Sequence, residues 1–110
     1  MNLKGTLPIL VLSVLEEGPS HGYKIAQDIK ARSKGILDFK EGTLYPALHG
    51  QEKKGFIKSR VEVENGRKRR HYRLTPKGRR ALTKERGEWA EQSQAVTQIL
   101  DGMTHLGGLA

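Results

Sequence analysis

Cysteine is absent from the 110 residues, so disulfides and thiolate chemistry are excluded and the composition fits a reducing cytosol. Aromatic residues make up only 5%, a thin stock of large core side chains, and a chain of this length would gain from burying surface against a partner. Long hydrophobic runs are missing too. The apolar stretch from Leu7 to Leu15 is too short to span a bilayer and ends in Glu16-Glu17 rather than at a small-residue cleavage site, so it reads as a buried helix of a cytoplasmic protein with no membrane partner. The signatures of catalysis are lacking as well. His21, His49, His71 and His105 have no metal-ligand spacing, and there is no Gly-rich phosphate loop or nucleophile elbow. We therefore expect neither an enzyme nor a bound cofactor or metal.

What the chain does have is localised positive charge. Residues 53–80 hold twelve Lys or Arg against Glu62 and Glu64, a net +10, which leaves −2 on the rest of a chain whose net charge is +8. One basic block on a near-neutral body implies a docking face for phosphate. A membrane surface would call for a basic helix with an apolar face of Trp, Phe and Leu, whereas this block is a turn-containing segment of low apolarity.

Helix and strand signals place the block. Thr6 to Glu17 suits a first helix, with Pro8 near its start and Gly18-Pro19 stopping it. Ser20 is positioned to cap a second helix from about His21 to Arg32. Its inward stripe is either Tyr23, Ala26 and Ile29 or Ile25 and Ile29, and Tyr23 reads as core. A third helix is expected from about Thr43, because Pro46 is tolerated only in a first turn. Leu44, Ala47 and Leu48 make its packing stripe and Tyr45, His49, Glu52 and Lys53 project from another face, with Gly50 and Gln51 fitting the helix poorly. Ile57, Ser59, Val61 and Val63 then alternate with charged residues as in a half-buried strand. Asn65-Gly66 marks a type I′ hairpin turn, and the return strand runs through Tyr72 and Leu74. Thr75-Pro76 opens a long helix as N-cap and first residue. The fold class is mainly α with a small β-hairpin (α+β), a winged helix-turn-helix. Residues 1–75 would form the DNA-binding domain, 76–104 a C-terminal dimerisation helix and 105–110 a flexible tail.

In the last helix Leu82, Trp89, Val96 and Met103 recur every seven residues, widened by Ile99, Leu100 and Leu106, a coiled-coil-like seam. Such a seam needs a partner, and the N-terminal helix of a second copy is the expected one. We infer a homodimer.

Four segments in order, His21-Gly22-Tyr23, Glu41-Gly42-Thr43-Leu44-Tyr45-Pro46-Ala47-Leu48-His49, Lys54-Gly55-Phe56-Ile57 and His71-Tyr72-Arg73-Leu74-Thr75-Pro76-Lys77-Gly78, give residues 5–100 a specific resemblance to the PadR family of bacterial transcriptional regulators. The match is to the short subfamily with a single C-terminal helix. The resemblance implies a dimer joined through its C-terminal helices, a recognition helix in each major groove, a wing over the adjacent minor groove or backbone, and a palindromic double-stranded DNA operator. It also implies a small-molecule effector cavity between subunits around Trp89, since an aromatic at the matching place lines such a cavity in multidrug-sensing relatives. The chain departs from the family pattern at Gly50-Gln51, where a basic residue followed by Leu is typical.

The candidate DNA contacts are Thr43, Tyr45, Pro46 and His49 at the start of the third helix, Arg67, Lys68, Arg69 and Arg70 about the wing turn, and, more weakly, Lys40, Lys53 and Lys54. Tyr45 is expected to position the protein more than to specify sequence, and alternate wing residues face opposite sides, so only part of the wing touches DNA at once. The seam residues Leu82, Trp89, Val96, Ile99, Leu100 and Met103 are the candidates for the dimer and effector interface. An RNA-binding or ribosome-associated winged helix is the alternative class, disfavoured by the shortage of exposed stacking aromatics. A winged helix used only for protein assembly is a third, disfavoured by the charge density of the wing.

Overall fold

A computed structural model describes residues 4–102. A 3₁₀ turn, Lys4–Thr6, leads into α1 (Leu7–Leu15), followed by a two-residue strand β1 (Ser20–His21), α2 (Gly22–Arg32), α3 (Glu41–Lys53), the hairpin strands β2 (Ile57–Glu64) and β3 (Arg67–Leu74), and the 25-residue α4 (Pro76–Leu100). The sheet order is β1-β3-β2, antiparallel throughout. The wing therefore has a third strand, in which Ser20 and His21 pair with Tyr72 and His71 and tie the start of α2 to the hairpin.

The core lies where α1 meets the other elements. Leu7, Val11, Leu12, Val14 and Leu15 of α1 are buried against Ile25, Ile29, Leu44, Leu48, Ile57, Tyr72, Leu74 and Leu82. This matches the all-round apolarity of the first helix, which is enclosed by α2, α3 and α4. Leu82 is 1% exposed and anchors the first half of α4 to its own domain, so the unpartnered part of the seam starts at Trp89. Met103 and residues 105–110 lie outside the described residues, and with them the expected tail and the end of the dimerisation helix. Among the described residues no helix is long and apolar enough to cross a membrane.

Several expectations need correcting. The cap of α2 is His21, not Ser20, because pairing of Ser20 in β1 extends the chain one residue further and brings His21 Nδ1 within 3.3 Å of the Lys24 N–H. The buried stripe of α2 is Gly22, Ile25 and Ile29, and Tyr23, 100° away on the helix, is 60% exposed rather than core. Helix α3 begins at Glu41 with Lys40 as N-cap, placing Pro46 in the second turn. Pro46 cannot bond the Gly42 carbonyl, but both residues are exposed and water can satisfy that oxygen. Along β2 the alternation buries Ile57 fully, yet Val61 and Val63 are 52% and 71% exposed, because the hairpin runs out beyond the helices that cover its base.

The turn follows its sequence signal, with Asn65 at φ 53° and Gly66 at φ 77°. Thr75 caps α4, accepting the Gly78 N–H at 3.0 Å. Gln51 occupies a core position at 3% exposure, and its Oε1 has no hydrogen-bond partner. A buried acceptor left unpaired costs about 1–3 kcal/mol, so Gln51→Leu should stabilise the fold by an amount in that range. A melting curve would then shift upward by about 4 °C or more; an unchanged or lower midpoint would mean that the amide is satisfied in solution.

Candidate nucleic-acid interface

The register of the hairpin sorts its charges. Ser59 opposes Tyr72, Val61 opposes Arg70 and Val63 opposes Lys68, so these side chains share the face that packs on α3 at the base. Arg60 with His71, Glu62 with Arg69 and Glu64 with Arg67 share the outer face. Both wing carboxylates are thus on the outer side, where Arg60 Nε meets Glu62 at 2.6 Å and His71 meets Glu62 and Glu64 at 3.7 and 3.1 Å. On the inner side no carboxylate pairs with Lys68 or Arg70 among the described residues. Arg70 instead donates to Ser59 Oγ at 3.1 Å, and that hydroxyl donates to Glu52 of α3 at 2.6 Å, bracing the wing against the helix. The expectation that alternate wing residues face opposite sides holds.

Helix α3 presents Tyr45 to that face. The Tyr45 ring is half-buried and lies over Gly22, where a Cβ would stand 2.8 Å from its hydroxyl oxygen, so the glycine is what lets α2 and α3 approach this closely. Thr43 is half-buried in the first turn, Pro46 and His49 are exposed, and Lys53 is exposed at the far end. Lys40 is exposed before the helix and held by Asp38 at 3.2 Å; together with Lys30 it keeps that carboxyl below the usual aspartate range. The structure therefore brings Tyr45, Lys68, Arg69 and Arg70 around one cleft of about 220 Å³, with Gly22 and Tyr23 also in its wall, while Lys53, Lys54 and Arg67 stand apart from it. Tyr23, read from the sequence as core, is instead an exposed residue in the wall of this cleft. The signal that could have found it is the burial stripe of Gly22, Ile25 and Ile29, which leaves Tyr23 off the packing face.

His21 joins the helices to the wing. Its Nδ1 accepts the Lys24 N–H, Arg69 Nη1 lies 3.0 Å from Nε2, and its ring meets His71 edge-on at 5.7 Å. Burial, and then the Arg69 charge beside it, push the His21 pKa below its usual 6.5, with His71 and Lys24 acting in the same direction and Glu64 opposing. The neutral ring is the form the fold needs, so its contribution to stability is present above the ordinary histidine value and is lost as pH falls toward the lowered folded value. Urea midpoints taken between about pH 7.5 and pH 5.5 should fall more steeply for wild type than for His21→Asn, which can cap α2 without titrating; parallel slopes would show that His21 does not carry the effect.

Comparison with known proteins places the sequence and the fold in a family. A model of the transcriptional regulator PadR-like family matches residues 11–84. The transcriptional regulator Rv3488 of Mycobacterium tuberculosis is 38% identical over 88 residues, covering 80% of this chain and 77% of that protein. A transcriptional regulator from Clostridium thermocellum superposes with a TM-score of 0.81 at 33% identity, over 87% of this chain and 94% of the other. Bacillus subtilis PadR, solved in complex with operator DNA, superposes with a TM-score of 0.65 at 26% identity, over 71% of this chain and 45% of the other. With the helices, the three-stranded wing and the long last helix all accounted for, the chain belongs to the PadR-like family of transcriptional regulators, which are not enzymes.

Proposed function

We propose that the protein is a homodimeric repressor that occludes a promoter by binding a palindromic double-stranded DNA operator, and that a small molecule held between the subunits near Trp89 releases it. Residues 1–75 bind DNA and α4 joins the subunits. The observation that carries the DNA reading is the one-sided wing: Lys68 and Arg70 face α3 with no direct carboxylate partner among the described residues, while Glu62 and Glu64 are engaged on the opposite face. Thr43, Tyr45, Pro46 and His49 then approach base edges and nearby phosphates, and Lys40, Lys53, Arg67 and Arg69 add to the surrounding field. A partner on the chromosome puts the protein in the cytoplasm.

The dimer rests on α4. Its second half carries Trp89, Val96, Ile99 and Leu100 at 49%, 54%, 79% and 77% exposure, a row of large apolar side chains left open to solvent among the described residues. A cleft of about 220 Å³ between α1 and α2, lined by Leu10, Val14, Ile29 and Leu37, offers the partner's helix a seat of matching character. An effector at Trp89 would move the recognition helices out of the one-turn spacing of about 34 Å that successive major grooves demand.

The test is fluorescence anisotropy with duplex DNA from immediately upstream of the protein's own gene and with a scrambled duplex, across a salt series. Tighter binding to the upstream duplex that persists as salt rises is expected. Equal binding that collapses with salt would remove the claim that the protein regulates its own gene, and preference for a hairpin RNA would replace DNA by RNA as the partner.

A further inference from the structure

From the cleft between the start of α2, Tyr45 and strand β3 we infer that the protein has a seat for one backbone phosphodiester of DNA, clamped between the helix-turn-helix and the wing, with Tyr23 as one of its donors. The inference rests on the DNA-binding reading above and assigns a residue and a ligand group to a place which that reading leaves open. The cleft, about 220 Å³, has room for a phosphate with several waters of about 30 Å³ each. Gly22 forms its floor, Tyr23 and Tyr45 flank it, and Lys68, Arg69 and Arg70 supply its charge.

Three features make this more than a basic surface. Among the described residues no carboxylate pairs directly with the cations: Lys68 has no ion pair, Arg70 bonds the Ser59 hydroxyl, which is itself held by Glu52, and Arg69 lies against the His21 ring. The phenol hydroxyls of Tyr23 and Tyr45 bond to no described residue, so two neutral donors stand beside the charged ones, and a phosphate oxygen accepts from both kinds. Both rings also have a neighbouring surface. Tyr45 lies against Gly22, and Tyr23, though 60% exposed, lies parallel to the His21 ring with centroids 6.5 Å apart. Because the walls come from α2, α3 and β3, one phosphate bound here fixes the wing and the recognition helix to the same point of the DNA backbone. That is how a backbone contact sets the register of base-reading residues while itself carrying no sequence information.

The experiment is a salt series of duplex binding by anisotropy for wild type, Tyr23→Phe, the single changes Lys68→Gln and Arg70→Gln, their double, and the triple. If Lys68 and Arg70 serve one phosphate, the double change lowers the log–log salt slope by about 0.9, the value for a single phosphate, rather than by about twice that. Tyr23→Phe, which keeps every charge and alters an exposed position, weakens binding about tenfold at unchanged slope, and adds nothing further in the double background, because the shared phosphate is already lost. Gly22→Ala, which displaces the Tyr45 ring, behaves like Tyr23→Phe if circular dichroism shows it folded. Tyr23→Phe binding like wild type, or two charge changes that each remove about 0.9 independently, would overturn the seat while leaving DNA binding intact. A wild-type chain that binds no duplex overturns the DNA reading and the seat with it. Inorganic phosphate that binds the cleft while none of the changes alters duplex affinity would assign it to free phosphate compounds and likewise overturn the proposal.

Discussion

Replacing Gly78 by alanine is expected to destabilise the protein by about 3 kcal/mol or more, a large share of the 5–15 kcal/mol typical of a domain. Intrinsic propensity argues the other way, since alanine is favoured over glycine in a helix interior by about 1 kcal/mol. The tertiary contact decides the sign. A Cβ on Gly78 would stand 2.0 Å from the Phe56 carbonyl oxygen and 2.8 Å from Leu74 Cδ1. The carbonyl has no freedom to retreat, because it accepts the Thr75 N–H at 3.0 Å, and the Thr75 hydroxyl, which receives the Gly78 N–H, donates to Gly55 O at 2.6 Å. This knot joins the start of α4 to the start of β2, so relieving the clash means breaking bonds that hold the long helix to the wing. Gly87 in the same helix has nothing within 4 Å of its virtual Cβ, and Gly87→Ala should instead add up to about 1 kcal/mol. Urea unfolding of the two variants checks the contrast; equal stabilities would refute the packing argument.

The second large effect is expected from Val96→Glu combined with Leu100→Glu: a folded monomer whose affinity for duplex DNA falls about a hundredfold or more. Both side chains are more than half exposed in the single chain, so the domain loses little internal packing, whereas carboxylates in an apolar seam between two helices would have to be desolvated without partners. The loss of affinity follows from linkage between half-sites: once one subunit is bound, the second faces its own half-site at a high effective concentration, and a monomer forfeits that gain. Sedimentation equilibrium and anisotropy on the same samples measure both halves of the prediction. A dimer mass that survives the double change would place the interface elsewhere, and a monomer with full affinity would show that one half-site suffices.

The readable parts of the fold were those set by local chemistry. The Asn65-Gly66 turn needs positive φ, Thr75-Pro76 needs the start of a helix, and the period-two pattern from Ile57 needs a strand; each was found where expected because no distant contact competes with it. The errors share one cause. The spacing of Tyr23 to Ala26 and Ile29 is helical and points to the core, but the face a helix buries is chosen by its neighbours, and the buried face of α2 is Gly22, Ile25 and Ile29. Pro46 marks a first turn by the local rule, which looks only at backbone donors, whereas exposure of Gly42 lets solvent satisfy the carbonyl that Pro46 leaves. The strand Ser20–His21 was invisible because two residues have no period.

For the candidate site, the sequence by itself determined the chemistry: a basic hairpin on a near-neutral body, an aromatic and hydroxyl-bearing helix start before it, and a run of large apolar residues in the last helix. Charge, turn propensity and periodicity are properties of residues and their nearest neighbours, so they survive in one dimension. Only the tertiary structure decided which cations face α3, that both wing carboxylates fall on the other side, that Tyr23 joins Tyr45 at a cleft, and that position 78 has no room for a Cβ. Those depend on strand register and on the approach of elements up to about fifty residues apart, such as His21 to Arg69, and no local pattern encodes a distance between them.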